Sequence, residues 1–265
     1  MKGIDISRHN GVINFVKVKA SGIDFVMIRA GYGCTTDDKF HSNITAAKAA
    51  GIAVGIYWFA YALNPADAIR EADYCHKLLA PYKLDLPVFY DFEYDTDRYA
   101  KGKGVMFTPE SRTSIIKAFC DRIKVLGHTA GIYINPDYIM NKVIYKVLKP
   151  YTLWLARWVS TSGTASFAAI LKTQVDNSFN KVSIWQFGMG KVDGISGNVD
   201  IDYGYFDLPV VKPVPIVIVK LPVATEPDYV KIVTDKCGLA QPTVDYINRY
   251  TFSKDLWRKL GEKLK

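Results

Sequence analysis

The sequence predicts an α/β chain built on a parallel sheet with crossover helices, closed into a barrel or left as an open sheet. Three observations carry that reading. Short β-branched or aromatic runs alternate with segments of helical period. There are eight such runs. The 265 residues are 49% hydrophobic and 23% charged, which suits one large core and excludes disordered, collagen-like and coiled-coil chains. The candidate strands run from Gly3 to Ile6, Phe25 to Ala30, Ala53 to Phe59, Pro87 to Phe92, Ala130 to Ile134, Leu153 to Arg157, Val182 to Phe187 and Val199 to Tyr203. Between them, the segments Asp38 to Ala50, Pro65 to Leu79 and Pro109 to Leu126 repeat apolar residues at three and four positions. Pro65 and Pro109 suit first helical turns, where the missing N–H is not needed. Later connections are less regular, so a closed barrel here lacks some helices of the full eightfold repeat.

Composition changes after Leu208. Five of the twelve prolines (Pro209, Pro213, Pro215, Pro222 and Pro227) fall in one short stretch. The expected organisation is a barrel over 1–208, a Pro/Val-rich linker over 209–227 and a small, mainly helical module over 228–265. The stretch Val214 to Val223 also reads as an edge strand that packs on the barrel. Helices are expected over Asp228 to Cys237, Pro242 to Tyr250 and Ser253 to Leu264, with Gly238 and Thr251 between them. Their apolar candidates are Tyr229, Ile232, Leu239, Ile247, Leu256, Trp257 and Leu260. From Pro209 to Lys265, ten Lys or Arg stand against six Asp or Glu, so this tail carries half of the net charge of +8. A basic balance favours a polyanionic partner: nucleic acid, an acidic membrane face or an acidic cell wall.

No run approaches the roughly 18 apolar residues of a membrane span. The chain enters strand-like sequence at Gly3 with no secretion-signal pattern before it. Solubility and synthesis without a signal peptide are therefore expected. Cys34, Cys75, Cys120 and Cys237 are dispersed and do not cluster with His9, His41, His76 or His128, so they are expected to be reduced and buried. His9 lies near Asp5 but has no second histidine at ligand spacing. The pairs Gly102-Lys103 and Gly104-Val105 do not complete a phosphate-binding loop. Neither a metal nor a cofactor is expected.

The segment Pro87-Val88-Phe89-Tyr90-Asp91-Phe92-Glu93-Tyr94-Asp95 is the most informative. An apolar strand ends in carboxylates at i, i+2 and i+4, which strand alternation places on one face. About 6.5 Å between the Cα atoms of Asp91 and Glu93 lets one charge push the other group's pKa upward. Such a pair suits glycoside hydrolysis, which needs one protonated carboxyl for the leaving oxygen and one ionised carboxyl beside the oxocarbenium-like centre. A surface acidic run or a metal-binding loop would give the same local pattern. Asp5 at the end of the first strand, and Asp200 with Asp202 in the last, would meet this pair at one mouth of a closed parallel barrel.

In these residues the sequence resembles the family 25 glycoside hydrolases, the Chalaropsis-type muramidases, over roughly residues 2 to 208. The resemblance is carried by Gly3-Ile4-Asp5-Ile6-Ser7, Ile28-Arg29-Ala30-Gly31-Tyr32-Gly33, Gly55-Ile56-Tyr57-Trp58-Phe59, Asp91-Phe92-Glu93, Gly131-Ile132-Tyr133, Leu153-Trp154-Leu155-Ala156, Trp185-Gln186-Phe187 and Val199-Asp200-Ile201. It implies a modified TIM-like barrel with incomplete helices. It also implies hydrolysis of the β-1,4 bond between N-acetylmuramic acid and N-acetylglucosamine. Glu93 corresponds to the general acid/base, Asp91 to its strand partner, and Asp5 and Asp200 to the remaining active-site carboxylates. Asp202 has no counterpart and stays outside this set. Chitinase-like barrels carry D-x-x-D-x-D-x-E, but here Leu86 and Phe89 stand in place of the first two acids, which disfavours chitin. The retained D-x-E is compatible with acetamido-assisted retention, direct double displacement and inversion, which product anomers distinguish.

Substrate-binding candidates are Tyr32, Tyr57, Tyr133, Trp154 and Trp185, whose rings could pack on sugar C–H faces or simply fill the core. Arg29 is a candidate for orienting a carboxylate or the lactyl group, or for a structural ion pair. The tail weakly resembles a helix-turn-helix. Attachment to teichoic acid or another wall polymer is preferred to nucleic acid, and a structural cap is the third reading. The combined expectation is a phage-endolysin-like or autolytic muramidase. It would be made in a bacterial cytoplasm, released through a membrane lesion and active on peptidoglycan at the wall. The alternative is a noncatalytic carbohydrate-binding barrel with a basic tail.

Overall fold

The computed structural model describes residues 1–158, 182–206, 228–248 and 253–264. The chain forms two compact units, Met1–Pro215 and Ile216–Lys265. The expected boundary at 208, the linker and the Val214 to Val223 stretch lie outside the described residues.

The first unit carries β1 (Lys2–Ile6), α1 (Phe15–Ala20), β2 (Phe25–Tyr32), β3 (Thr35–Thr36), α2 (Phe40–Ala49), β4 (Ala53–Phe59), α3 (Pro65–Leu79), β5 (Val88–Asp91), α4 (Tyr94–Gly102), α5 (Pro109–Val125), β6 (Ala130–Ile134), α6 (Tyr145–Leu148), β7 (Thr152–Ala156), β8 (Val182–Gly190) and β9 (Val199–Gly204). The strand order is β1-β9-β8-β7-β6-β5-β4-β2-β3, and a β1–β2 pairing closes all but the short β3 into a barrel. This is the modified TIM-like barrel that the sequence implied. Among the barrel strands one departs from the parallel expectation, since β9 runs antiparallel to both β1 and β8. The connection from Gly190 to Val199 is too short for the dozen or more residues that a parallel crossover needs.

Alternation sorts each strand into two faces. Outward residues such as Val26, Ile28, Val54, Ile56, Val88, Tyr90, Ile132 and Leu153 are buried in one shell with Ile44, Ala72, Cys75, Ile116 and Phe119 from α2, α3 and α5. Asn64 and Thr108 cap α3 and α5 through the Asp67 and Ser111 N–H groups, and a proline follows each cap. Inward residues Phe25, Met27, Tyr57, Phe89, Trp154 and Ile184 fill the barrel. A Cβ added at Gly3 would lie 2.1 Å from the Phe25 ring, and one at Gly131 would lie 2.4 Å from Phe89. These glycines admit the rings that plug the interior. Cys75 and Cys120 are buried as expected, whereas Cys34 and Cys237 are exposed, and all four are free thiols.

Behind the sheet, α3 buries Glu71, which accepts the Tyr61 N–H at 3.0 Å and the Tyr90 hydroxyl at 2.7 Å. Burial pushes its carboxyl up to about 7 against the pull of both hydrogen bonds. The native state therefore holds this proton more tightly than the unfolded chain, and stability falls as pH rises from the ordinary glutamate range through that value. We expect Glu71→Gln to stabilise the protein by about 2 kcal/mol at pH 8 and negligibly at pH 4, as read by urea unfolding.

The second unit holds three helices among the described residues: α7 (Tyr229–Cys237), α8 (Gln241–Asn248) and α9 (Ser253–Lys263). Asp228 caps α7 through the Lys231 N–H, and left-handed Gly238 ends it. Val233, Val244 and Trp257 form its core, with Tyr229, Leu239 and Ile247 packed around them. No helix among the described residues is long and apolar enough to cross a membrane.

Candidate active site

Asp5 lies near the end of β1, and Asp91 is the last residue of β5. Glu93 stays extended, at φ −143° and ψ −171°, before the chain turns into α4. Its side chain therefore keeps the alternation that began in the strand. Asp95 does not, because it lies in the first turn of α4 and pairs with Arg98 on the helix surface. Asp200 stands opposite Asp5 in the β1–β9 pairing. It belongs to the N-terminal end of its strand, so only the reversed direction of β9 brings it to the mouth formed by the C-terminal ends of the parallel strands. The sequence argument for a parallel last strand is corrected here.

The convergence of these acids is felt at Tyr133, at the mouth end of β6. Burial raises its hydroxyl pKa most, and the charges of Asp91, Glu93, Asp5 and Asp200 raise it further. The same hydroxyl donates to Gln186 Oε1 at 2.9 Å, and Gln186 Nε2 donates to Asp5 Oδ2 at 2.9 Å. Trp158 Nε1 also donates to Gln186 Oε1, at 3.0 Å. One amide thus links the carboxyl on β1 to the rings of β6 and of the segment after β7.

All four acids are raised above the ordinary carboxylate range, with burial as the largest cause in each. For Asp5, the charges of Asp200 and Asp202 add to burial. For Asp91, the Glu93 charge adds and Arg29 opposes. For Glu93, Arg98 opposes and Asp200 adds. Asp200 is pushed up to about 6. Such a cluster holds protons at pH values where exposed acids have lost them, as general acid catalysis requires.

Arg29 donates from Nε to Asp37 Oδ2 at 2.7 Å, and its guanidinium carbon stands 5.6 Å from the centre of the Tyr32 ring. The Tyr32 hydroxyl accepts from Arg8 at 3.0 Å. Arg29 Nη2 and Asp91 Oδ1 are both buried and have no hydrogen-bond partner among the described residues. They are two buried polar atoms left unsatisfied by the described residues.

The aromatic candidates separate by depth. Tyr32 and Tyr133 are half-buried at the mouth, and Tyr57 is buried just beneath. Trp154 is 1% exposed, meets Tyr133, Phe89 and Tyr57 edge-on, and donates its indole N–H to Asp202 Oδ1 at 2.8 Å. It floors the mouth and offers no free face to a sugar. Trp185 is not brought to the mouth at all. It lies on the outward face of β8 in the shell behind the sheet, and its indole donates to the Arg157 carbonyl at 2.7 Å. The alternation that turns Trp185 outward turns Gln186 inward, so Gln186 was the functional candidate in that motif and was missed. Trp158 was not singled out in the sequence, and Asp202, left outside the active-site set there, is buried and holds the Trp154 indole. Among the described residues no group of three His, Cys, Asp or Glu is arranged to hold a metal.

The sequence profile of Glycosyl hydrolases family 25 matches residues 4–195. An autolytic lysozyme of Clostridium acetobutylicum is 27% identical over 203 residues, covering 76% of this chain and 55% of that protein. Lysozyme M1 of Streptomyces globisporus is 31% identical over 211 residues, covering 76% of this chain and 66% of that one. The crystal structure of the CTP1L endolysin superposes with a TM-score of 0.61 at 25% identity, covering 77% of this chain and 66% of the other. This chain thus spans between about half and two thirds of these curated relatives. With the matched segment running through Asp5, Asp91 and Glu93, the chain belongs to glycosyl hydrolases family 25.

Proposed function

We propose that this protein is a muramidase that hydrolyses the β-1,4 bond between N-acetylmuramic acid and N-acetylglucosamine in peptidoglycan. What supports this reading is that the charges of Asp91, Glu93, Asp5 and Asp200 all act on the Tyr133 hydroxyl, with Asp5 opposite Asp200 and Asp91 opposite Tyr133 in the strand pairings. Glu93 gives its proton to the leaving oxygen. Asp91, whose carboxyl the Arg29 charge pulls toward the ionised form against burial and the Glu93 charge, faces the positive charge that develops at the anomeric carbon. Tyr32 and Tyr133 border the sugar. Arg29 Nη2 is placed to take a substrate oxygen or carboxylate. Mass spectrometry of digested peptidoglycan tests the reading: new reducing ends on muramic acid are expected, and glucosamine ends or freed peptides would overturn it.

The lysozyme relatives and the endolysin neighbour support a role in wall lysis, and we assign the chain to the endolysin type, made inside the host and acting on its wall. The basic second unit is proposed to hold the enzyme on teichoic acid or a similar wall polyanion, which raises its local concentration at the substrate. Truncation after Pro215 is therefore expected to weaken co-sedimentation with purified walls by about tenfold or more, with the difference shrinking at high salt. Equal retention of the two proteins would remove that role.

A further inference from the structure

Asp202 is wholly buried on the inner face of β9, yet the reaction outlined above does not use it. It stands opposite Gly3, two residues along β9 from the Asp5–Asp200 pair and diagonal to Asp5 on the same face. Its Oδ1 accepts from the Trp154 indole at 2.8 Å. Its Oδ2 is buried and receives no N–H or O–H donor among the described residues. The group within hydrogen-bonding reach is the Asp5 carboxyl, which Gln186 holds by its own Oδ2. The other titratable groups around the pair are Asp200 on β9, Tyr57 on β4 and Tyr133 on β6, with Arg29 on β2 beyond Tyr57. Two ionised carboxylates in contact away from water would repel and leave an acceptor unpaired, whereas one proton between them removes both costs.

We propose that Asp202 is a positioning residue of the hydrolytic site: it shares a single proton with Asp5 and, through Trp154, ties that carboxyl to the aromatic floor of the mouth. This inference rests on reading Asp5 as part of the site. Asp5 is then fixed from two sides, by the Gln186 amide and by the shared proton. The pair carries one negative charge, and which oxygen holds the proton does not alter that count.

The test uses the full-length protein with Asp202→Asn and Asp202→Ala. Asn carries an N–H where the shared proton lay and leaves the pair with the same charge. The infrared difference between wild type and Asp202→Asn near neutral pH should contain one protonated-carboxyl C=O band that shifts in heavy water. A difference showing only ionised carboxylate overturns the proposal. In turnover, Asp202→Ala should lower kcat by about tenfold or more with little change in KM, and Asp202→Asn should recover it to within about threefold of wild type. An Asn variant as impaired as Ala, or an Ala variant with wild-type kcat, overturns it as well. If the Ala variant does not fold, the infrared comparison of the other two proteins decides. That readout needs no turnover, so a protein with the band but no muramidase products would refute the proposed activity and leave the proton pair standing.

Discussion

Glu93→Gln is expected to lower turnover by at least about a hundredfold while leaving the fold and wall retention intact. Glutamine has the same shape and hydrogen-bonds through the same positions, but it has no proton to give to a leaving oxygen. Burial holds the Glu93 carboxyl above its ordinary range, so the acid form persists where a free glutamate is already ionised. The sign follows directly: the productive form is protonated, so the rate falls on the alkaline side as pH passes the raised value. The variant should lose that limb as well as the rate. Release of reducing ends from purified walls across the pH range, read beside co-sedimentation, checks both parts. A variant within about threefold of wild type would take Glu93 out of the mechanism.

Trp154→Ala should cost about 3–5 kcal/mol of stability, a large share of what a domain of this size has to lose. The ring is edge-on to Tyr133 at 4.7 Å, Phe89 at 5.5 Å and Tyr57 at 5.8 Å. Its removal opens a cavity at the centre of the barrel and strips Asp202 of its N–H donor among the described residues. Trp154→Phe keeps most of the packing and loses the donor alone, so it should cost about 1–3 kcal/mol. Urea unfolding followed by near-UV circular dichroism separates the two contributions. A loss below about 1 kcal/mol for the alanine variant would mean that the interior is not packed against this ring.

Much of this architecture was legible in the sequence because it depends on local pattern. Each of the eight strands was readable as a β-branched or aromatic run, and α3 and α5 announced themselves by their apolar spacing and by Pro65 and Pro109 in their first turns. Asp91 and Glu93 were readable as a pair because both lie in extended backbone. What local pattern does not encode is direction and depth. Alternation is the same whichever way a strand runs, so the reversal of β9 could be inferred only from the length of chain between Gly190 and Val199. The turn into α4 that removes Asp95 from the pair depends on tertiary placement. An aromatic residue beside an inward amide draws attention to itself, so Trp185 was chosen where period-two counting favoured Gln186. Trp154 faces inward as the motif suggested, but nothing local shows that three other rings close over it.

The seam between β1 and β9 joins two chemically identical aspartates to different neighbours: Asp200 to Asp5, and Asp202 to Gly3. A slip of one residue would expose apolar side chains and be rejected at once. A slip of two would not, because every inward residue would remain inward while one aspartate moved into the other's place along β1. Such an even-numbered misalignment would leave a folded chain whose mouth lacks the native set of acids. The Gly204 N–H, which donates to the Met1 carbonyl at 2.8 Å, and the irregularity in β8 between Gln186 and Gly188 act as stops against it.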